Sequence, residues 1–227
     1  EPGEGPPFLE RVSGNGLFLT FTGLAAVVPF FLPLAVGVVS GDAVAGEAQT
    51  GTLRYLLTVP VSRTRLLLVK YGGLLSFALA ASMLVAVVGL LVGWALFPTG
   101  DVTLLSGTTI PVSSAILRAT LVALYVTVSL AGLAALGLAV STFTEVPVAA
   151  MATTVVLAIT SQIFGAIPQV SWLHPYLFTD QWLAFGDLLR DPVPTGALVD
   201  GLVLQLCWAV IALAVAWSRF TTRDVTS

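Results

Sequence analysis

The run LLLVKYGGLLSFALAASMLVAVVGLLVGWALF, from Leu66 to Phe97, contains one charged residue, Lys70, and no proline. About 20 apolar residues carry a helix across the hydrocarbon core of a bilayer, so this run is long enough to span with Lys70 near one surface. Four more apolar runs read the same way, at about 16–40, 112–142, 146–167 and 199–218. In hydrocarbon the backbone has to satisfy its own N–H and C=O groups, and runs of this length do so as helices. The chain of 227 residues is 57% hydrophobic and 9% charged. An ordinary soluble domain carries about 25% charged residues, so a soluble fold is excluded. The sequence therefore predicts an all-α, polytopic transmembrane helical bundle, one domain over 1–227 with a connecting segment at 47–65 and another at 168–198.

Charge sets the expected orientation. The connection 41–65 and the start of the next span carry Arg54, Arg63, Arg65 and Lys70, whereas the connection 98–111 carries only Asp101. Positive residues stay inside, so 41–65 is expected in the cytoplasm, with the C-terminus there too and 168–198 outside. Six of the nine basic residues then lie inside: Arg54, Arg63, Arg65, Lys70, Arg219 and Arg223. Arg118, near the outer end of its span, either snorkels to the interface or pairs with Asp101. A net charge of −3 without a basic tract excludes nucleic acid as a partner. One cysteine, Cys207, and one histidine, His174, make neither a disulfide nor a zinc cluster.

The first residues, Glu1-Pro2-Gly3-Glu4-Gly5-Pro6-Pro7, lack an initiator Met, a basic region and an apolar region. The expectation is that a further span precedes them, giving six spans with both ends inside; a short exported N-terminus on five spans is the alternative.

The stretch from Gly46 to Lys70 reads as two helical pieces with a break. Thr52 is placed to cap a short helix with Leu53, Leu56 and Leu57 on one face and Arg54, Tyr55 and Thr58 on the other. Pro60 ends it, and Ser62 caps the next helix, whose Arg63 and Arg65 mark the headgroup level. Two readings fit such an amphipathic helix: an elbow floating at the interface, or an element docked into another protein. Glu47 sits where a span leaves the membrane. It reads as a brace that accepts N–H groups or pairs with a cation such as Arg54, the alternative being a solvated surface acid.

Glu47, Gly51-Thr52-Leu53, Leu56-Leu57, Pro60-Val61, Ser62-Arg63 and Lys70 together resemble the pattern E…GTL..LL..PVSR…L..K of ABC-2 type transporter permeases. The stretch from Leu138 to Glu145 before Pro147 is similar to that family's tight inner turn, and Phe220 to Val225 to its common ending. The front departs from the family, which usually begins with a cytoplasmic amphipathic helix and a first span. The resemblance implies an exporter subunit in the cell membrane, with Glu47, Gly51, Thr52, Leu53, Arg54, Leu56, Leu57, Pro60, Ser62 and Arg63 forming a cytoplasmic coupling helix against a separate ATP-binding subunit. It also implies a second permease copy or homologue, and short re-entrant helices on the outer side. ATP and Mg would belong to the partner: this chain has no GxxxxGK[ST] sequence, so it is not expected to be an enzyme or to hold a cofactor.

Thr153, Thr160, Ser161 and Gln162 concentrate polarity in the fourth apolar run. They suit either a translocation surface or hydrogen bonding between helices. No span so read has a central charge, which disfavours a secondary carrier. A membrane scaffold or assembly protein is the main alternative to a permease. Gly37/Gly41 and Gly89/Gly93 are spaced for close helix contact. Between Pro168 and Pro194, Trp172, Tyr176, Phe178, Trp182 and Phe185 suit a membrane–water interface. His174 with Ser106 or Ser171 lacks the sequence setting of a serine hydrolase.

Overall fold

A computed structural model describes residues 18–52, 62–97 and 100–222. The elements are α1 (Leu19–Val27), α2 (Phe31–Gln49), α3 (Arg63–Leu96), strands β1 (Val102–Thr103) and β2 (Thr109–Ile110), α4 (Val112–Ser129), α5 (Ala131–Phe143), α6 (Pro147–Gly165) and α7 (Gly196–Thr222). Two 3₁₀ helices, Pro168–Tyr176 and Ala184–Leu189, lie between α6 and α7. Among the described residues five helical segments are long and apolar enough to cross a membrane: α2, α3, α4 with α5, α6 and α7. The fold is an all-α polytopic bundle, as the apolar runs require.

The first span differs from its reading. The expected helix over 16–40 is interrupted at Val28–Phe30, and the spanning helix α2 ends at Gln49 rather than at 40. Pro29 lacks the N–H that would continue the ladder and its ring crowds the preceding turn, so α1 stops there. The shift brings Asp42 and Glu47 into a spanning helix, with Asp42 near its middle, so the expectation that no span has a central charge does not hold for α2.

The chain divides into two compact units. The first takes its described residues from 18–32, 79–127 and 181–200. Within it α1 and α3 meet at the backbone, because Gly89 lets Thr20 come so near that an added Cβ would lie 2.7 Å from the Thr20 Cα. The β1–β2 hairpin pairs Val102 with Ile110 and Thr103 with Thr109, turning at Gly107, whose φ of +87° suits glycine. Leu105 N–H donates to the Leu189 carbonyl at 2.9 Å, and Asp191 N–H to Ser106 Oγ at 3.1 Å, joining the hairpin to the 3₁₀ segment. Arg118 donates to the carbonyls of Leu188, at 2.6 Å, and Arg190, at 2.8 Å. Its charge is used on the end of a short helix, where orphan carbonyls collect.

The second unit takes its described residues from 33–78, 128–180 and 201–227. Gly41 packs against the backbone of Met151, 2.6 Å from a hypothetical Cβ, and Gly137 packs on Ser40. α6 turns Pro147, Ala150, Thr154, Ala158 and Ser161 inward, a stripe at three- and four-residue spacing. Ser141, fully buried, accepts the N–H groups of Val44 at 2.9 Å and Ala45 at 2.8 Å, so α5 reaches into the hydrogen-bond ladder of α2.

The break between α4 and α5 falls at Leu130, which is fully buried. Gln205 of α7, 2% exposed, serves that break: its Oε1 accepts Gly132 N–H at 3.1 Å and its Nε2 donates to the Phe178 carbonyl at 2.6 Å. Tyr71 donates to the Ala131 carbonyl at 3.2 Å. Phe178 stacks edge-on against Trp208, with ring centroids 5.7 Å apart. Gln205→Leu leaves a buried N–H and a carbonyl without this partner and is expected to cost about 2–4 kcal/mol, read as a lowered unfolding midpoint in detergent, whereas Leu206→Ala on the exposed face should change little.

Candidate functional site

The polar side chains of the second unit concentrate around the end of α2 and the start of α3. Gly51 takes φ +72° and its N–H donates to the Ala48 carbonyl at 3.2 Å, a left-handed C-terminal stop open to glycine at no steric cost. Thr50 donates its hydroxyl to the Gly46 carbonyl at 2.9 Å, and Thr52 donates to the Glu47 carbonyl at 3.3 Å. Thr52 thus serves the end of α2.

Across from this end, Lys70 Nζ lies 2.6 Å from Glu47 Oε2 and donates to the Ala43 carbonyl at 2.6 Å. The Lys70 side chain keeps 12% of its surface exposed and that of Glu47 32%. Oε2 itself is buried and meets the ammonium off the hydrogen-bonding direction, so charge and proximity hold the pair. Glu47 braces the elbow; its partner is Lys70.

The start of α3 is fixed as firmly. Ser62 Oγ accepts Arg65 N–H at 3.3 Å, the capping geometry its position suggested. Arg63 donates to the carbonyls of Phe220, at 2.9 Å, and Thr221, at 3.0 Å, closing the C-terminus of α7. Trp217 Nε1 donates to Thr64 Oγ1 at 2.9 Å, and the Arg219 guanidinium sits 5.6 Å over the Phe143 ring. Both described flanks of the connection between α2 and α3 are therefore anchored, one to α3 and the other to α7. Leu53, Arg54, Leu56, Leu57 and Pro60, which the sequence assigns to the coupling helix, lie outside the described residues. A cleft of about 490 Å³ opens beside the ion pair, between Asp42 and Gly46 of α2, Thr50 just past its end, and Lys70, Gly73 and Leu74 of α3.

Over residues 5–226 the chain matches the family described as "Protein of unknown function (DUF2705)". It belongs to that family. A stretch of 54 residues is also 41% identical to the probable ABC transporter permease protein NosY of Stutzerimonas stutzeri, covering 24% of this chain and 20% of that protein. The match thus spans about a fifth of that relative's length.

In this DUF2705 protein Thr153, Thr160, Ser161 and Gln162 of α6 do not share one surface. Thr153 and Thr160, two turns apart, face outward and are exposed, Thr153 donating to its own helix at Ala149 over 2.8 Å. Ser161 faces inward, hydroxyl to hydroxyl at 2.7 Å with Thr179, which lies in the turn after the first 3₁₀ helix, so the bond ties α6 to the segment that follows it rather than to another helix. Gln162 borders a cleft of about 280 Å³ with Leu177, Thr179 and Asp180. His174 Nε2 lies 3.1 Å from the carbonyls of both Phe164 and Ile167, so this nitrogen carries the proton and caps α6. Among the described residues no group of three metal-ligating side chains occurs.

Four residues of the DUF2705 chain escaped sequence reading as functional or bridging positions: Asp42, Lys70 as a clasp partner, Ser141 and Gln205. Gln205 carried a signal, being the lone amide in an apolar run. Ser141 carried none that separates it from any other serine in a helix. Glu47→Gln and Lys70→Met are each expected to destabilise the protein, and the double variant to lose less than their sum, with a coupling of about 1–2 kcal/mol given the partial exposure of Glu47. A double-mutant cycle on unfolding midpoints measures it.

Proposed function

We propose that this protein is the membrane-spanning permease subunit of an ABC-2 type transporter, exporting its substrate with ATP hydrolysed by a separate cytoplasmic subunit. The observation that carries the reading is the anchored frame around the α2–α3 connection, with Glu47 held to Lys70 and Arg63 held to the end of α7. A membrane subunit driven by a motor domain has to pass displacement to its spans, and a connection whose flanks are tied to two other helices transmits it rather than absorbing it. The resemblance of Glu47 to Lys70 to the coupling segment of such permeases, and the stretch similar to NosY, support the same reading.

On this proposal ATP and Mg are held by the partner, and residues 53–61 dock into it through Leu53, Leu56 and Leu57. The protein sits in the cell membrane with residues 53–61 and the C-terminus in the cytoplasm. Thr153 and Thr160, on the open face of α6, are the polar pair placed to line a path shared with a second permease copy.

Two measurements test the proposal. With Cys207 replaced, Ser62→Cys should react with a membrane-impermeant maleimide only after the cells are opened, and Ser106→Cys in intact cells; the reverse pattern overturns the orientation. The chain should co-purify with a P-loop ATPase, and Leu56→Asp should abolish both that association and ATP-dependent export while its unfolding midpoint stays unchanged. Export that survives Leu56→Asp points instead to a scaffold whose elbow floats at the interface.

A further inference from the structure

The cleft beside the Glu47–Lys70 pair contains a charge that the clasp does not use. Its α2 wall is one stripe of that helix, Val39, Asp42, Gly46 and Glu47, and its α3 wall includes Lys70 and Leu74. Lys70 spends its ammonium on Glu47 and the Ala43 carbonyl. Asp42 is exposed to the cleft, and among the described residues nothing donates to its carboxylate or pairs with it. The carboxylate is folded back over Gly46, where an added Cβ would overlap it, so the missing side chain at 46 makes the room it occupies. Among the described residues the cleft thus has one negative charge without a partner, inside a helix otherwise apolar enough to span. An ionisable group in such a helix is costly to keep without a partner.

From these observations we infer that the cleft is a binding site for the cationic head of an amphiphile, a primary ammonium held by Asp42. Depth decides between occupants. Asp42 lies seven residues before Gln49, about 10 Å along the helix axis, so a protein docked beyond the end of α2 has to reach past two turns to meet it. A molecule lying in the membrane alongside α2 and α3 reaches it directly. Its apolar tail has Val39 and Leu74 in the cleft wall, then Phe77, 36% exposed, one turn further along α3. An ammonium supplies the N–H donors and the charge that Asp42 lacks, and the neighbouring ion pair stays intact. The same chemistry is offered by an ethanolamine lipid headgroup and by a free alkylamine.

Native mass spectrometry of the full chain in decyl maltoside tests the inference, with dodecylamine, dodecanol, dioleoyl phosphatidylethanolamine and dioleoyl phosphatidylcholine as probes. The wild type should retain dodecylamine over dodecanol, and Asp42→Asn should weaken that binding about tenfold, the loss of one charge-assisted contact. Gly46→Ala, which displaces the carboxylate without removing it, should reproduce the loss. An Asp42-dependent preference for the ethanolamine over the choline lipid identifies a lipid headgroup as the source; dependence for dodecylamine alone identifies a membrane-partitioned solute. Unfolding midpoints without probe show which variants fold, and if Asp42→Asn does not, Gly46→Ala carries the test. Dodecylamine binding at wild-type strength in a folded variant, or none in the wild type, overturns the inference. No ATPase is present in this measurement, so its failure leaves the permease proposal standing.

Discussion

A backbone N–H or C=O in hydrocarbon has no water to turn to, and several departures from a continuous helix among the described residues are organised around that constraint. Where α4 gives way to α5, Gln205 and Tyr71 take up freed groups of the backbone. Where α6 stops, His174 gathers two carbonyls, and where α7 stops, Arg63 does the same. Arg118 closes the 3₁₀ turn at Leu188 and Arg190. The cationic and polar side chains in these apolar stretches are thus largely committed to the main chain rather than to one another. That is why sequence arithmetic on charge pairs, such as Arg118 with Asp101, gave a poorer guide than asking where helices end.

Close approach is the second consequence. Lipid tails are as apolar as leucine, so burial alone gives helices little reason to associate, and contact between backbones has to supply it. Gly41 against Met151 and Gly89 against Thr20 provide that contact in the two units. Ser141 is a product of the same proximity: only because α5 lies close against α2 can one hydroxyl take two N–H groups of the neighbouring helix. The many exposed apolar side chains, among them Leu84, Leu91, Leu206 and Val210, are the complementary face, matched to the bilayer rather than to protein.

The region of Glu47 to Lys70 joins these structural facts to the proposed function. Three of its described charged residues are anchors: Glu47 and Lys70, which join α2 to α3, and Arg63, which holds α7. A segment meant to float at an interface has no need of ties at both flanks. The pair also divides the cleft chemically, neutral on the side of the clasp and negative at Asp42, which gives the cleft a polarity that its apolar walls alone would not provide.

The sequence by itself determined the all-helical class, the membrane-length helices found among the described residues, the cap at Ser62 and the close contacts at Gly41 and Gly89, because each follows from local composition or from spacing along one helix. It also marked Glu47 as a brace, since a carboxylate at a membrane boundary demands a partner. The identity of that partner was not legible. Lys70 lies 23 residues away along the chain, and nothing local distinguishes it from Arg54. Only the tertiary structure decided this pairing, the sorting of Thr153 and Thr160 outward from Ser161, and the division of the aromatic segment into exposed Trp172 and Tyr176 and buried Phe178, Trp182 and Phe185. The structure also places the end of the span at Gln49, with Asp42 within it. Which side of a helix is inward, and which distant group meets a charge, depend on how helices pack, and packing joins residues that the chain keeps far apart.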